Sequence, residues 1–300
     1  MAGGGRLSFR DTECIMKLRK SSPSVGKRMV VMSAPGDPVP SIARAFASYQ
    51  QSAASRLRYA ITEINLQTCH NLGYSLKVLD AAGGNGLTTE FLLNLGHHVT
   101  LYDSDPEMLA QAQARLTTRD LLARCRLVQG TFEGIADTLS GALYDLILCH
   151  HVLEYIDDGL RLLQTLHALC APKGELSLIT LNPVSEVMRA IVFGQDPDAA
   201  ALKLSDLHYD AKWFGQARLY PLEDIVARAK QAGWQLKDFR GIRVLSDYVS
   251  KSEERLCEEK LLRLETLLAN REPYRRMGRY LQFSFAKQEH PIEFALGPRA

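Results

Sequence analysis

The sequence predicts a doubly wound α/β fold: a seven-stranded, mostly parallel sheet with a helical cap before it and an extension after it. Three observations carry this. Short apolar runs alternate with helix-patterned segments from residue 76 onward, as βαβ units do. The first run, "SLKVLDA", enters a turn with three glycines in four positions, Gly83, Gly84 and Gly86. The second, "HHVTLYD", ends on an acid, Asp103, 17 residues past Gly86.

The elements follow in order. Residues 1–40 are rich in Gly, Ser and Arg and carry no apolar run of signal-peptide length, so they read as a disordered basic tail outside the fold. An over-extended start, with Met29 or Met32 as alternatives, has the same composition, and a transit peptide matches it less well. The domain occupies 41–290. Helical spacing of Ile42, Phe46, Leu57, Ile61, Ile64 and Leu66 predicts two helices within 41–72, joined near Gln51–Ser55. The core, 76–182, holds "SLKVLDA", a helix at Thr88–Leu95, "HHVTLYD", a helix at Pro106–Leu116 capped by Asp105, then "CRLVQG". "YDLILCHHVLEYI" follows, then a helix ending near "CAPKGE", and "ELSLITLN". Residues 183–218 are irregular and mixed. Pro221–Ala232 is an amphipathic helix stopped by Gly233. Two last strands, "GWQLKDFRGIRVLSDYV" and "RYLQFSFAK", flank a charged helix at Ser252–Asn270, completing the 183–287 part.

Composition excludes some classes. Hydrophobic residues are 46% and charged residues 23%, and no stretch of 18 apolar residues occurs to span a membrane. The six cysteines lie scattered, without CxxC spacing, and read as reduced thiols of a cytoplasmic protein rather than a zinc or disulfide framework. Residues 1–31 hold seven Lys or Arg against Asp11 and Glu13, so the net charge of +2 leaves the folded body slightly acidic. That body advertises no strong attraction for nucleic acid.

A glycine turn between strand and helix lets a nucleotide approach the backbone, and an acid ending the next strand can accept ribose hydroxyls. A dinucleotide fingerprint needs a third glycine where Thr89 stands. What remains is D-x-A-x-G-x-G, from Asp80, Ala82, Gly84 and Gly86. This resembles the turn of class I S-adenosylmethionine-dependent methyltransferases, with Ala82 at their first glycine, which suits a negative φ. "YDLILCHHVLEYI" and the later "PKGEL" resemble their fourth strand and the turn before the fifth. The resemblance implies S-adenosylmethionine as cofactor. Its sulfonium would lie over Gly83–Gly84 and its ribose on Asp103. Its adenine would meet Phe132 and Glu133, and its methyl would point toward His150. A local structural role for His150 has equal standing. His151 and Glu154 are not expected to build a metal site with His150, because adjacent strand residues face opposite ways.

"IARAFASYQ…LRYAI", "DLILCHHVLEYI", "QAGWQLKDFRGIRVLSDYV" and "LLRLETLLANREPYRRMGRYLQFSFAK" resemble in order the bacterial tRNA methyltransferase family that esterifies 5-carboxymethoxyuridine at the wobble position. By that resemblance Arg58 would bind the cofactor's carboxylate end. Arg243, Tyr248 and Arg279 would position an anionic substrate; an arginine can hold a carboxylate in a bidentate grip. A carboxylate is already ionised at neutral pH and needs no general base. One departure stands out: where the family carries lysines after strand five, "GQDPDAAALKLSDLHYDAKW" is acidic. Arg271, Arg275, Arg276 and Arg279, or the basic tail, could supply phosphate contacts instead. Partners are therefore tRNA or, alternatively, a small metabolite, with a non-catalytic cofactor-binding protein as a third reading.

Overall fold

A computed structural model describes residues 41–211, 214–249 and 257–288. The basic tail 1–40 lies outside the described residues. Two helices open the fold, α1 (Ile42–Gln50) and α2 (Ala53–Cys69), and Ser41 and Ser52 cap them through side-chain oxygens. The core then alternates: β1 (Lys77–Ala81), α3 (Leu87–Asn94), β2 (His98–Asp103), α4 (Pro106–Thr118), β3 (Cys125–Gln129), α5 (Ile135–Thr138), β4 (Tyr144–His150), α6 (Gly159–Leu169), β5 (Cys170–Leu181). Asp105 caps α4 as expected, accepting from the N–H of Glu107 and Met108.

The sheet order is β3-β2-β1-β4-β5-β9-β8, with β8 (Trp234–Ile242) and β9 (Tyr280–Lys287) closing one side. Strands β1 to β5 pair in parallel, and β9 runs antiparallel to both β5 and β8. The inner strands are apolar on both faces because helices cover both. In β4, Leu146 and Leu148 pack with Leu66, Leu92 and Leu93, while Ile147 and Cys149 join Leu163, Trp234 and Phe283 on the other face. The strand order reverses between β1 and β4, so the crevice at their carboxyl ends is the place for a ligand.

Three expectations need correction. The turn at Pro172–Gly174 does not precede β5. It loops out within it, between the pairs Tyr144↔Cys170 and Leu146↔Glu175, with Lys173 at φ 64°. The described part of 183–218 carries regular elements: α7 (Pro183–Val192), α8 (Pro197–Leu202), and β6 (His208–Ala211) paired antiparallel with β7 (Gly215–Arg218). Asn182–Pro183 starts α7, since the Asn182 carboxamide accepts from Val184 N–H and proline needs no N–H in a first turn. The strand after α9 (Leu222–Gln231) ends at Ile242, because Arg243 takes φ 57°. The next three backbone N–H groups, of Val244, Leu245 and Ser246, all donate to the buried Glu265 carboxylate of α10 (Glu258–Leu268). That carboxylate replaces the strand ladder as acceptor. Among the described residues the helix starts at Glu258, and the expected start at Ser252 lies outside them. No helix among the described residues is long and apolar enough to cross a membrane.

Candidate active site

The glycine turn is built from β1 outward. Ala82 and Gly83 donate N–H to the Tyr102 carbonyl at 2.7 and 3.3 Å, which bends the chain against β2. Ala82 has φ 61°, not the negative value its side chain prefers, a conformation that costs about 1–2 kcal/mol in a residue with a Cβ. Gly84 also lies in the left-handed region, at φ 56°. Gly83 is needed for another reason: a Cβ there would stand 2.7 Å from Asp80 Oδ2 and 2.9 Å from Leu101. The glycine makes room for the buried Asp80 carboxylate, which accepts from Thr89 Oγ1 at 2.6 Å. Burial pushes Asp80 up to about 6.

Asp103 sits at the carboxyl end of β2 as the sequence predicts. Its Oδ2 accepts from Gly84 N–H at 2.8 Å and its Oδ1 from Asp105 N–H at 2.9 Å, so it clamps the glycine turn. Partial burial raises its pKa above the ordinary carboxylate value. Beside it opens a cleft of about 190 Å³ lined by Ala82, Asp103, Gly130, Phe132, Glu133 and Ile156. Gly130 has no alternative there, since a Cβ would fall 2.0 Å from Tyr102 Oη, the donor to Thr131 O. The cleft thus gathers Asp103, Phe132 and Glu133 from the expected set. Carboxylate acceptors beside an aromatic ring suit an adenosine.

The sequence reading missed Asn85, within the turn itself. Its carboxamide is 2% exposed and exchanges hydrogen bonds with Gln50 at 3.1 and 2.6 Å, while Gln50 also donates to Tyr59 Oη at 2.8 Å. These bonds tie the α1–α2 cap to the glycine turn. A buried-amide pair 35 positions apart leaves no signal in local spacing.

The second half of the site lies at the carboxyl ends of β4 and β5, beside the start of β9. Arg58 of α2 is 6% exposed; its guanidinium carbon stands 4.7 Å from the Tyr59 ring centre, 5.9 Å from Tyr49 and 5.8 Å from Tyr280, and its Nε has no hydrogen-bond partner. β4 stops at His150 and His151 adopts φ 60°, so the expected alternation of faces does not govern this pair. His150 Nε2 lies 3.0 Å from Ser177 Oγ, within a chain that continues through Gln282 to Asn65. His151 meets Tyr280 edge to face at 4.7 Å. Burial, then the charges of His70 and Arg58, hold His150 down at about 3, and burial with Arg58 holds His151 far below the usual value. Both imidazoles are neutral and weakly basic at neutral pH. Glu154 turns elsewhere, accepting from Leu181 N–H.

Arg243 and Arg279 come together, with Arg279 N–H donating to the Arg243 carbonyl at 3.0 Å. Each already has an acid. Arg243 pairs with Asp247, which Arg189 also approaches at 3.4 Å, and Arg279 pairs with Glu186 and reaches Tyr209 Oη at 3.4 Å. Tyr248 lies within the electrostatic reach of Asp247, Arg279 and Arg189. It stacks on Phe193. The residue between the guanidiniums is Tyr280: burial alone would raise its hydroxyl, but Arg58, Arg243 and Arg279 together hold it below the ordinary phenol value. Among the basic run, Arg275 pairs with Glu272 and Asp238, and Arg276 with Glu272 and Glu223.

A model described as a methyltransferase domain matches residues 79–176, the span from β1 into β5. The tRNA 5-carboxymethoxyuridine methyltransferase of Escherichia coli K12 is 33% identical over 221 residues, covering 71% of this chain and 81% of that one. A ubiquinone biosynthesis O-methyltransferase of Xanthomonas euvesicatoria is 29% identical over 187 residues, covering 62% and 71%. Among solved structures, a putative S-adenosylmethionine-dependent methyltransferase from Listeria monocytogenes superposes with a TM-score of 0.54 at 16% identity, covering 78% of this chain and all of that one, a likeness of fold. With its glycine turn, acid-ended second strand and seven-stranded sheet, the chain belongs to the tRNA 5-carboxymethoxyuridine methyltransferase family of class I S-adenosylmethionine-dependent methyltransferases.

Proposed function

We propose that this enzyme methylates the carboxylate of 5-carboxymethoxyuridine at the wobble position of a cytoplasmic tRNA. The observation that carries the reading is the cluster around Tyr280, where the Arg58 and Arg279 guanidiniums each stand 5.8 Å from the ring centre and Arg243 adds a third positive charge, while the nearby imidazoles are too weakly basic to take a proton at neutral pH. Such a site suits an acceptor that arrives as an anion and needs no deprotonation. The similarity to the Escherichia coli enzyme supports the same substrate.

S-adenosylmethionine, when bound, supplies an electrophilic methyl group. The chain's own residues do the rest. Asp103 accepts the ribose hydroxyls, and Phe132 and Glu133 border the adenine. The turn of Asp80, Gly83, Gly84 and Gly86 gives the backbone close access. Arg58, whose guanidinium has an unused donor, holds the carboxylate end, and His150 borders the reacting centre. Arg243 and Arg279, charge-balanced by Asp247 and Glu186, orient the substrate carboxylate through short-range bonds rather than through net charge. Tyr280 donates a hydrogen bond to it, and Tyr248 bounds the entry. Catalysis on this reading is positioning and exclusion of water.

Mass spectrometry of nucleosides from tRNA incubated with the enzyme tests this. Conversion of 5-carboxymethoxyuridine to its methyl ester is expected. A mass increase on a small metabolite and none on tRNA would move the assignment to the alternative acceptor. For the cofactor, Asp103→Ala is expected to weaken binding by about 1.5–3 kcal/mol, the scale of hydrogen bonds to a charged group. Calorimetry showing unchanged affinity would remove Asp103 from the site.

A further inference from the structure

Helix α7 and the segment after it leave an apolar surface in solvent: Val184, Ile191, Val192, Phe193, Leu202 and Leu204 are all exposed. Phe193 is unlike the others because its open ring is held in place. It stacks on Tyr248 with an interplanar angle of 15° and ring centres 6.1 Å apart, and the Arg189 guanidinium lies 5.2 Å from its centre. Yet 54% of Phe193 stays exposed, so the aromatic column from Tyr248 ends in solvent. The column is joined to the arginine cluster around Tyr280. Arg189 and Arg243 share Asp247, and Arg243 is one of the three guanidiniums around Tyr280. Charge argues for what the ring receives. Residues 183–218 hold five acids, Glu186, Asp196, Asp198, Asp206 and Asp210, against Arg189, Lys203, Lys212 and Arg218, so this segment carries no net positive charge to draw an RNA backbone. A flat π-face beside a guanidinium instead suits a nucleobase, which every sequence offers and which stacks without needing phosphate contacts.

We propose that Phe193 is a stacking platform for the unpaired nucleobase next to the one being methylated, extending the Tyr248–Phe193 column by one ring. The inference rests on the reading of tRNA as substrate. It accounts for an RNA-modifying site bordered by acids: the base faces are read here, and the phosphates are not.

The test uses the full chain and a short anticodon stem-loop RNA carrying 5-carboxymethoxyuridine at the wobble position and 2-aminopurine beside it. Binding is expected to quench the aminopurine in the wild-type protein. Phe193→Leu, which keeps the apolar bulk and removes the π-face, is expected to abolish the quench and weaken RNA binding roughly 5- to 150-fold, the range for one base–aromatic stack. S-adenosylmethionine affinity and melting temperature should hold, and Phe193→Trp should restore both quench and affinity. Wild-type methylation of the RNA with Phe193→Leu binding and quenching it normally would overturn the platform and leave the substrate reading standing. Failure of the wild-type protein to bind or methylate the stem-loop would overturn both. A dimer that dissociates on Phe193→Leu, with RNA affinity unchanged, would show that the ring is a subunit contact and overturn the proposal.

Discussion

Arg243→Ala is expected to lower kcat/KM on tRNA bearing 5-carboxymethoxyuridine by roughly 10- to 1000-fold, or about 1.4–4 kcal/mol of transition-state stabilisation. The guanidinium is 8% exposed and faces Tyr280 beside Arg279. Its removal does not orphan Asp247, since Arg189 approaches the same carboxylate, so the loss should appear in turnover before it appears in folding. Arg243→Lys keeps the charge and loses the planar fork, and it should fall between wild type and alanine. Affinity for S-adenosylmethionine should stay within about twofold in both variants, because the side chain acts on the acceptor. Steady-state kinetics at saturating cofactor, paired with calorimetry, separates the two effects. Wild-type turnover in the alanine variant would show that this segment is scaffold only.

The second large effect is a pH dependence of stability that Glu154 imposes. Its carboxyl is buried, and desolvation pushes it up to about 7, although Leu181 N–H donates to it. The folded state therefore holds this proton more tightly than the unfolded chain. The stabilisation is complete below the unfolded value of 4.5, is lost as pH rises toward 7, and is constant above that. The gap corresponds to roughly 3 kcal/mol. Glu154→Gln keeps an acceptor for Leu181 and does not titrate. Its unfolding free energy relative to wild type is expected to rise by about that amount between pH about 5 and pH about 8. The difference is the useful quantity, because Asp80 shifts wild type and variant alike in the same direction, and His150 in the opposite one. Urea titrations of both proteins at the two pH values measure it. A pH-independent difference would mean that Glu154 titrates normally and is hydrated.

How much of the site was legible differs residue by residue. Asp80, Gly84, Gly86 and Asp103 were readable because strand, turn and helix are contiguous and the chemistry of the turn requires their types at fixed spacing. The start of α7 carried a local signal as well: Asn182 followed by Pro183 is a cap and a first-turn proline, which the mixed polarity beyond it obscured. That helix leaves Val184, Ile191 and Val192 exposed, so a search for one buried face does not find it. The strain at Ala82 was invisible, because φ there is imposed by two N–H groups converging on the Tyr102 carbonyl of the neighbouring strand.

By itself the sequence determined the α/β alternation, the helical cap, the glycine turn and the acid that closes β2. All are set by hydrophobic period and backbone preference acting over contiguous stretches of chain. Only the tertiary structure decided how the arginines are used. Glu186 lies 93 positions from Arg279, and Arg58 reaches Tyr280 across more than 200 residues, so no local pattern could assign those pairings. The sheet brings them together by placing β9 between β5 and β8, antiparallel to both, so that its first residue, Tyr280, opens at the carboxyl end of β5. Whether a guanidinium is an ion-pair partner or a substrate ligand depends on which carboxylate the folded chain leaves beside it, and that is a property of packing rather than of spacing.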